Sequence, residues 1–596
     1  MKRTNILIIS AAVISIIAVG RLGYLFFGKE LIAAMYSGKA PAILNSIIEA
    51  QEQFPLDHYY FTAEKWLGLI SLIGIAISII LFLYWLIPPA ILEAAYSGII
   101  MIINKWSRNK LTFSLITAII FLGLTLVVAG FILHFFPNSG DEYAYIFQAE
   151  LLSHGRFWTE PHPHQEFFQC WFITAREGKL FSRVPPGWPL ALAITKFIRI
   201  PMWLLNPILG SLSLLCVLAL GRELFGFKVG AIAALTTGIS SFFLFNSASY
   251  FAHTLCSLLL LFFALCAVRL VKEPRNHLAF LMGISWGWAF ITRYFSAALC
   301  SFPIAIYLLI NIKKYYRKLG WVFAGVGIFI VFTLLYNYGI SGEFSLLPDH
   351  YAEPGGTLGF VRGHSVGMGI ENTVKLLKEF MFWTPFTLLL LYIWCLFKHI
   401  GKNSPQFVKY IYLVVIVGHF LYWSTGGNRY GPRYYYEAYP FLVLSVAALL
   451  FEGIGKLQLK QAKLFIFYLF LLGEVSAPFQ LLYHSRIENK VVEERIELYN
   501  LVEDRELVNS LIFLSSGTGI LRPMAWHNLT RNDIDFSNSV LYVRNMGENN
   551  YLLMKYYPNR KYYLFSLNRN TGKGELEELY LHRTLSKEGG GKNNKE

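Results

Sequence analysis

The chain has 596 residues, 55% of them hydrophobic and only 15% charged, with a mean hydropathy of +0.46. A soluble protein of this length would need several cores and far more charge to cover them, so the composition excludes that class, together with disorder, collagen and a secreted disulfide scaffold. Lys and Arg number 52 against 37 Asp and Glu, leaving +15, but these cations sit in short loops between apolar runs and therefore mark topology rather than nucleic-acid binding.

A hydrocarbon core of about 30 Å needs roughly 20 apolar residues per helix. Thirteen spans fit the sequence: 6–27, 67–86, 111–136, 203–220, 229–250, 254–270, 278–291, 295–310, 321–340, 380–397, 408–423, 438–451 and 464–482. Met1-Lys2-Arg3 resembles a signal-peptide start, but no small-x-small cleavage site follows, so an uncleaved anchor is expected. Alternate loops are basic, from Lys105/Arg108/Lys110 through Lys313/Lys314/Arg317/Lys318 to Lys456/Lys460/Lys463. By the positive-inside rule the N-terminus is cytoplasmic, and an odd span count puts the C-terminus outside, in a cell (inner) membrane.

The fold class read from this pattern is an all-α polytopic membrane protein with a small α/β extracytoplasmic C-terminal domain. Residues 1–110 carry two extra N-terminal helices with an outer amphipathic segment, and 111–483 form an eleven-helix membrane domain. Residues 484–588 read as the α/β domain, with a helix near 493–500 and strands at 511–514, 540–543 and 562–565. The Gly-rich end, 589–596, reads as disordered. This tail is expected to cap the cavity on the outer face. Six cysteines occur without CxxC or Cys/His ligand spacing, so neither a disulfide framework nor structural zinc is supported.

Chemistry is expected in the outer segments. After the third span, Asn138 or Ser139 can cap a helix whose first turn holds Asp141 and Glu142, where the helix dipole favours negative charge; Gly155 ends it. Ile146, Ala149 and Leu152 would lay this helix along the membrane surface. Further on, Arg183 precedes the rigid turn Pro185-Pro186-Gly187, and Pro189 opens the next helix. A third cluster, Gly426 to Pro440, sets Arg429 and Arg433 among tyrosines that include Tyr434; guanidinium forks are the preferred partners of phosphate oxygens. The Gly-rich stretch from Pro348 to Ser365, with His350 and His364, has the composition of a substrate loop. Glu474 stands inside the last span, while His154, His162 and His164 lack metal-ligand spacing.

These motifs, together with Arg222-Glu-Leu-Phe-Gly226, Thr292-Arg293 and Tyr336-Asn337, resemble the GT-C superfamily of glycosyltransferases over about 111–482. More narrowly they are similar to its protein O-mannosyltransferase-like branch, which includes the lipid A aminoarabinose transferases. The resemblance implies an integral membrane enzyme that moves a sugar, hexosyl or pentosyl, from a polyprenyl-phosphate donor with inversion in a single displacement. The acceptor would be a glycolipid, glycan or protein of the cell envelope. Asp141 would match the family's catalytic carboxylate and Glu142 its neighbour, while Arg183 and Arg433, with Arg429 and Tyr434, would meet the lipid phosphate. His253 stands near a second-loop position where many members carry an acid. No cofactor is required on this reading, although Asp141 and Glu142 are the pair that would hold Mg²⁺ or Mn²⁺. The competing classes are a flippase or carrier of lipid-linked sugars, and a polysaccharide ligase or polymerase using diphosphate-linked donors.

Overall fold

The computed structural model describes residues 80–347, 358–361, 363–401, 404–426, 429–453, 460–515, 531–567 and 573–580. Outside them lie the expected span 6–27, most of 67–86, His350 and the C-terminal 589–596. Contacts divide the chain into two units, Met1–Ile102 with Leu457–Leu469, and Ile103–Lys456 with Phe470–Glu596. In the first, the helix Ile80–Leu86 turns by 93° into α1 (Pro89–Trp106), a segment that the sequence reading left as a loop. Tyr84 packs edge-on against Phe465 at 5.0 Å, and the Tyr468 hydroxyl donates to the Ile80 carbonyl at 3.0 Å.

The second unit is a helical bundle with two small sheets. It opens with α2 (Lys110–Val127), which runs into a short π-helical turn, and then α3 (Gly140–Ser153). A hairpin of β1 (Ile173–Arg176) and β2 (Lys179–Ser182) follows; its Glu177-Gly178 turn has φ of 53° and 75°, as a tight two-residue hairpin requires. Then come α4 (Gly187–Phe197), α5 (Met202–Phe225), α6 (Phe227–Ile239), α7 (Ser241–Ala248) and α8 (His253–Lys272). After α9 (Asn276–Thr292), the single residue Arg293 breaks the chain before α10 (Tyr294–Ile310). The bundle is completed by α11 (Leu319–Ser341), α12 (Val366–Trp383), α13 (Leu388–Leu396), α14 (Phe407–Phe420) and α15 (Tyr439–Ala448).

Among the described residues, five helices are long and apolar enough to cross a membrane, or seven if each bent pair is one span. Three shorter apolar helices accompany them, so the multi-pass membrane character stands. Of the thirteen expected spans, 6–27 and most of 67–86 lie outside the described residues, and others are interrupted locally. The stretch 229–250 bends by 67° between α6 and α7, and 380–397 is interrupted between Trp383 and Leu388, where Pro385 sits. The helix α12 also occupies residues read as loop.

Ser139, one of the two expected caps, caps α3, and the helix packs inside the protein rather than exposing one apolar face. Nine of its fourteen residues are buried, including Tyr143, Phe147 and Leu151, whereas Ile146 and Leu152 are only half-buried. In the tail, the expected helix near 493–500 is the end of α16 (Lys460–Asp504), a 45-residue helix continuous with the last apolar segment. The three expected strands are present as β3 (Ser510–Leu514), β4 (Val540–Arg544) and β5 (Lys561–Leu567), preceded in the last case by α17 (Asn550–Tyr556). A fourth, β6 (Gly574–Leu579), pairs antiparallel with β5, and the sheet order is β4-β3-β5-β6.

Strand alternation divides this sheet's burial between two faces. Ile512 and Leu514 pack with Leu498 and Val502 of α16. Leu511 and Phe513 pack with α17 and with Phe167 and Phe168, which belong to the loop after α3. The tail therefore shares a core with that loop.

The tightest helix pair is α9 with α11, held at close range by glycines. A Cβ on Gly283 would lie 2.1 Å from the Val322 carbonyl oxygen, and one on Gly325 would lie 2.4 Å from that of Phe280. Small residues are what let membrane helices approach this closely, since lipid supplies no hydrophobic drive between them. Gly283→Leu is expected to lower the unfolding temperature in detergent by several degrees, the scale of overpacking at about 1–3 kcal/mol. Gly327→Leu on the same α11, where a Cβ meets nothing within 4 Å, should leave it unchanged.

Candidate active site

The ends of α3, α8, α9, α10 and α14, with the turn Arg433–Tyr435, converge on one cavity of about 620 Å³. Its lining joins parts of the chain nearly 300 residues apart, from Asp141 to Tyr434. Each polar group arrives there for a local reason.

Asp141 and Glu142 begin α3 as the sequence suggests, but they face different ways. Ser139 and Glu142 cap the helix together: the Glu142 N–H donates to Ser139 Oγ at 3.3 Å, and the Ser139 hydroxyl donates back to Glu142 Oε2 at 3.0 Å. Glu142 also accepts the Asn138 N–H at 2.8 Å and the Tyr250 N–H at 3.0 Å. It is 1% exposed and turned away from the cavity. Burial pushes its carboxyl above the ordinary range, while the Tyr250 N–H, Ser139, Arg429 and the Asn138 N–H pull it back. Asp141, one residue earlier, lines the cavity and meets both terminal nitrogens of Arg433 at 3.4 Å. Arg433 also donates to the Gly426 carbonyl at 2.7 Å and lies 3.9 Å above the Phe251 ring.

The hairpin β1–β2 delivers Arg183. Its N–H donates to the Phe172 carbonyl at 2.7 Å, and its guanidinium stands 5.8 Å from the Phe172 ring centre. Its buried Nε has no hydrogen-bond partner among the described residues. The Pro185-Pro186-Gly187 turn then abuts the break between α9 and α10. A Cβ on Gly187 would fall 2.5 Å from Thr292 Oγ1 and 2.7 Å from its backbone nitrogen, so only glycine lets the turn seat there. Trp288 Nε1 donates to the Gly187 carbonyl at 2.9 Å and fixes the same contact.

That break presents Arg293, whose Nε lies 2.8 Å from Glu437 Oε1. His253, the first residue of α8, places Nδ1 2.9 Å from the same oxygen. Both His253 and Glu437 are 1% exposed. Burial raises the Glu437 carboxyl, but Arg293 and then His253 hold it below the ordinary value, so it stays ionised beneath the cavity floor. Because a carboxylate only accepts, it fixes the proton on His253 Nδ1 and leaves Nε2 as the other ring nitrogen. Aromatic rings complete the walls: Tyr434 stacks on His419 at 4.8 Å, and Arg293 stands 5.8 Å from the Tyr434 ring centre.

Of the residues singled out in the sequence, Asp141, Arg183, His253, Arg433 and Tyr434 meet around this cavity. Arg429 does not; it pairs with Glu488 at 2.8 Å and lies against Tyr430. His364 is turned to the Phe420 carbonyl at 3.2 Å and also lies elsewhere. No described tail residue lines the cavity, and tail residues 516–530 and 568–572 lie outside the described residues. The tail instead holds the entry to α3: Arg495 donates to the Asn138 carbonyl, and Arg531 donates to that of Pro137. No group of three metal-ligand side chains occurs among the described residues. Arg293 and Glu437 were missed as site residues. Thr292-Arg293 stood out as a motif, but nothing local ties Glu437 to it across more than 140 positions.

Residues 188–336 match the model of the dolichyl-phosphate-mannose-protein mannosyltransferase family. The segment contains His253 and Arg293 and bears out the resemblance read from the motifs, although it covers only about a quarter of the chain. Among solved structures, ArnT from Cupriavidus metallidurans bound to undecaprenyl phosphate is 12% identical, with a TM-score of 0.49 over 75% of this chain and 92% of its own. Archaeal oligosaccharyltransferase AglB from Archaeoglobus fulgidus, in complex with an inhibitory peptide and a dolichol-phosphate, is 11% identical, with a TM-score of 0.40 over 77% and 70%. Arabinofuranosyltransferase AftD from Mycobacteria is 12% identical, with a TM-score of 0.44 over 80% and 37%. No curated protein matches the chain.

The shared carboxylate of Glu437 should be the most costly of these groups to alter. Removing one partner of a buried ion pair typically destabilises by about 3–5 kcal/mol, because the other charge is left uncompensated. Glu437→Gln is expected to lower the unfolding temperature strongly. Adding Arg293→Met should recover a large part of that loss, which a thermal-melt cycle of the four proteins measures directly.

Proposed function

We propose that the protein is an integral membrane glycosyltransferase. It moves a sugar from a polyprenyl-phosphate donor to an acceptor hydroxyl in a single displacement that inverts the anomeric carbon. The observation that carries this reading is the lining of the cavity, where three guanidinium groups, Arg183, Arg293 and Arg433, surround one carboxylate, Asp141. Glu437 neutralises Arg293 from below, so the open face still carries excess positive charge. An anionic group is its complement, and forked guanidiniums suit phosphate oxygens. The aromatic walls offer flat faces to a sugar ring.

On this reading the arginines bind the donor phosphate and stabilise the charge it gains as the glycosidic C–O bond breaks. Asp141 takes the proton of the attacking hydroxyl, and Arg433 keeps it aimed at the reacting centre. Glu142 has no part in the chemistry, since three donors already engage its two oxygens. A divalent metal is not required, because guanidiniums supply the positive charge. The match to a mannosyltransferase family model supports the reaction class. The site would lie on the outer face, since the helix ends that bear Arg222, Lys272 and Lys314 are remote from it and basic.

The test is a reconstituted assay with polyprenyl-phosphate sugar, following release of free polyprenyl phosphate. Asp141→Asn is expected to reduce turnover by roughly 10²–10⁴-fold with little change in donor affinity. Glu142→Gln should act through stability instead, and a chelator should leave the rate unchanged. Full activity of Asp141→Asn would remove the carboxylate from the mechanism, and transfer of intact donor across the bilayer would replace it with a carrier.

A further inference from the structure

A second cavity, of about 900 Å³, lies at the opposite end of the bundle, between α8, α10 and α14. Along α8 it is reached at Val268–Lys272, about 22–28 Å from His253 at a rise of 1.5 Å per residue. It has two chemically distinct parts. One is an apolar groove: Phe302, Ile306 and Ile310 line α10 at intervals of four residues and face Phe407, Tyr410 and Val414 of α14. The α10 stripe is 58%, 44% and 78% exposed, so the groove opens sideways towards whatever surrounds the bundle. In a membrane-spanning bundle that surrounding is lipid.

The other part is a basic rim. Lys272 and Lys314 stand there beside Asn311 and Gln406, with Glu223 as the acid of the lining. Glu223 is already matched: Lys272 Nζ lies 2.8 Å from Oε1 and Arg269 Nε lies 3.7 Å from Oε2. Lys314 has no carboxylate partner among the described residues, and neither do its neighbours Lys313 and Arg317. Within the lining, Glu223 balances Lys272 and leaves Lys314 as a cation with no acid beside it. An apolar channel two to three helical turns deep, ending in the unbalanced Lys314, complements a molecule with a hydrocarbon chain and an anionic head.

We propose that this groove is a resident site for an anionic phospholipid, its acyl chain between α10 and α14 and its phosphate against Lys314. Basic pockets between membrane helices recognise acidic headgroups, and each cation near the surface contributes roughly a fivefold preference. The site is independent of the glycosyl-transfer reading, because none of its residues lines the first cavity.

The test uses the full chain in nanodiscs of phosphatidylglycerol and phosphatidylcholine in equal parts, followed by native mass spectrometry of lipids retained after mild extraction. Phosphatidylglycerol should be retained over phosphatidylcholine by about fivefold or more. Lys314→Gln, an exposed change that leaves packing intact, should cut that preference roughly fivefold. Ile306→Trp should fill the groove and abolish retention. Equal retention of the two lipids overturns the proposal, as does unchanged phosphatidylglycerol binding in Lys314→Gln. Displacement of phosphatidylglycerol by stoichiometric polyprenyl phosphate would make the groove a carrier-lipid site and overturn it as well.

Discussion

The cavity depends on one carboxylate that does not line it. Glu437 accepts from both Arg293 and His253 through a single oxygen, at 2.8 and 2.9 Å, and is almost wholly buried. A guanidinium held in low dielectric without a counter-charge costs several kcal/mol. With Glu437 beneath it, Arg293 can stay charged at the floor of a cavity whose mouth already carries Arg183 and Arg433. The same oxygen fixes the tautomer of His253. Arg293 can reach Glu437 because the chain breaks between α9 and α10, and Gly187 lets the Pro-Pro-Gly turn seat against that break.

A similar division of labour separates the acidic pair at the head of α3. Adjacent residues in the first turn of a helix point about 100° apart, so one can face a cavity while the other closes a cap. Glu142 closes on Ser139 at the helix start and draws in the Tyr250 N–H, tying the start of α3 to the segment before α8. Arg495 and Arg531 then clamp the carbonyls of Asn138 and Pro137 from the tail side. The position of Asp141 is set by contacts it does not itself make. The tail thus acts on the cavity by bracing its entry helix from behind.

Much of this was legible in the sequence, and the exceptions have physical causes. Composition and alternating basic loops identified a multi-pass membrane protein, and the break at Arg293 falls between the expected spans 278–291 and 295–310, but the breaks at Pro385 and between α6 and α7 were invisible to a hydropathy window. Ser139-x-x-Glu142 is a readable helix-start pattern, and it agrees with the buried, hydrogen-bonded place that Glu142 takes. Arg183, Arg433 and His253 were picked out by their settings beside a rigid turn, a Gly-Pro step and a missing acid. Arg429 shares the setting of Arg433, yet its pairing with Glu488 depends on where α16 passes, which no local pattern encodes. The strands β3, β4 and β5 showed in their apolar, β-branched or aromatic runs. The strand β6, Gly-Glu-Leu-Glu-Glu-Leu, is acidic because it pairs at the sheet edge.

The central claim is that the arginine-lined cavity receives a lipid-linked phosphate beside Asp141. A cryo-electron microscopy structure of the full chain in nanodiscs with added polyprenyl phosphate tests it most directly. The account predicts a phosphate density within hydrogen-bond reach of Arg293 and at least one of Arg183 and Arg433, with the isoprenoid chain leaving towards the bilayer. A phosphate bound elsewhere, with this cavity empty at saturating lipid, would contradict it.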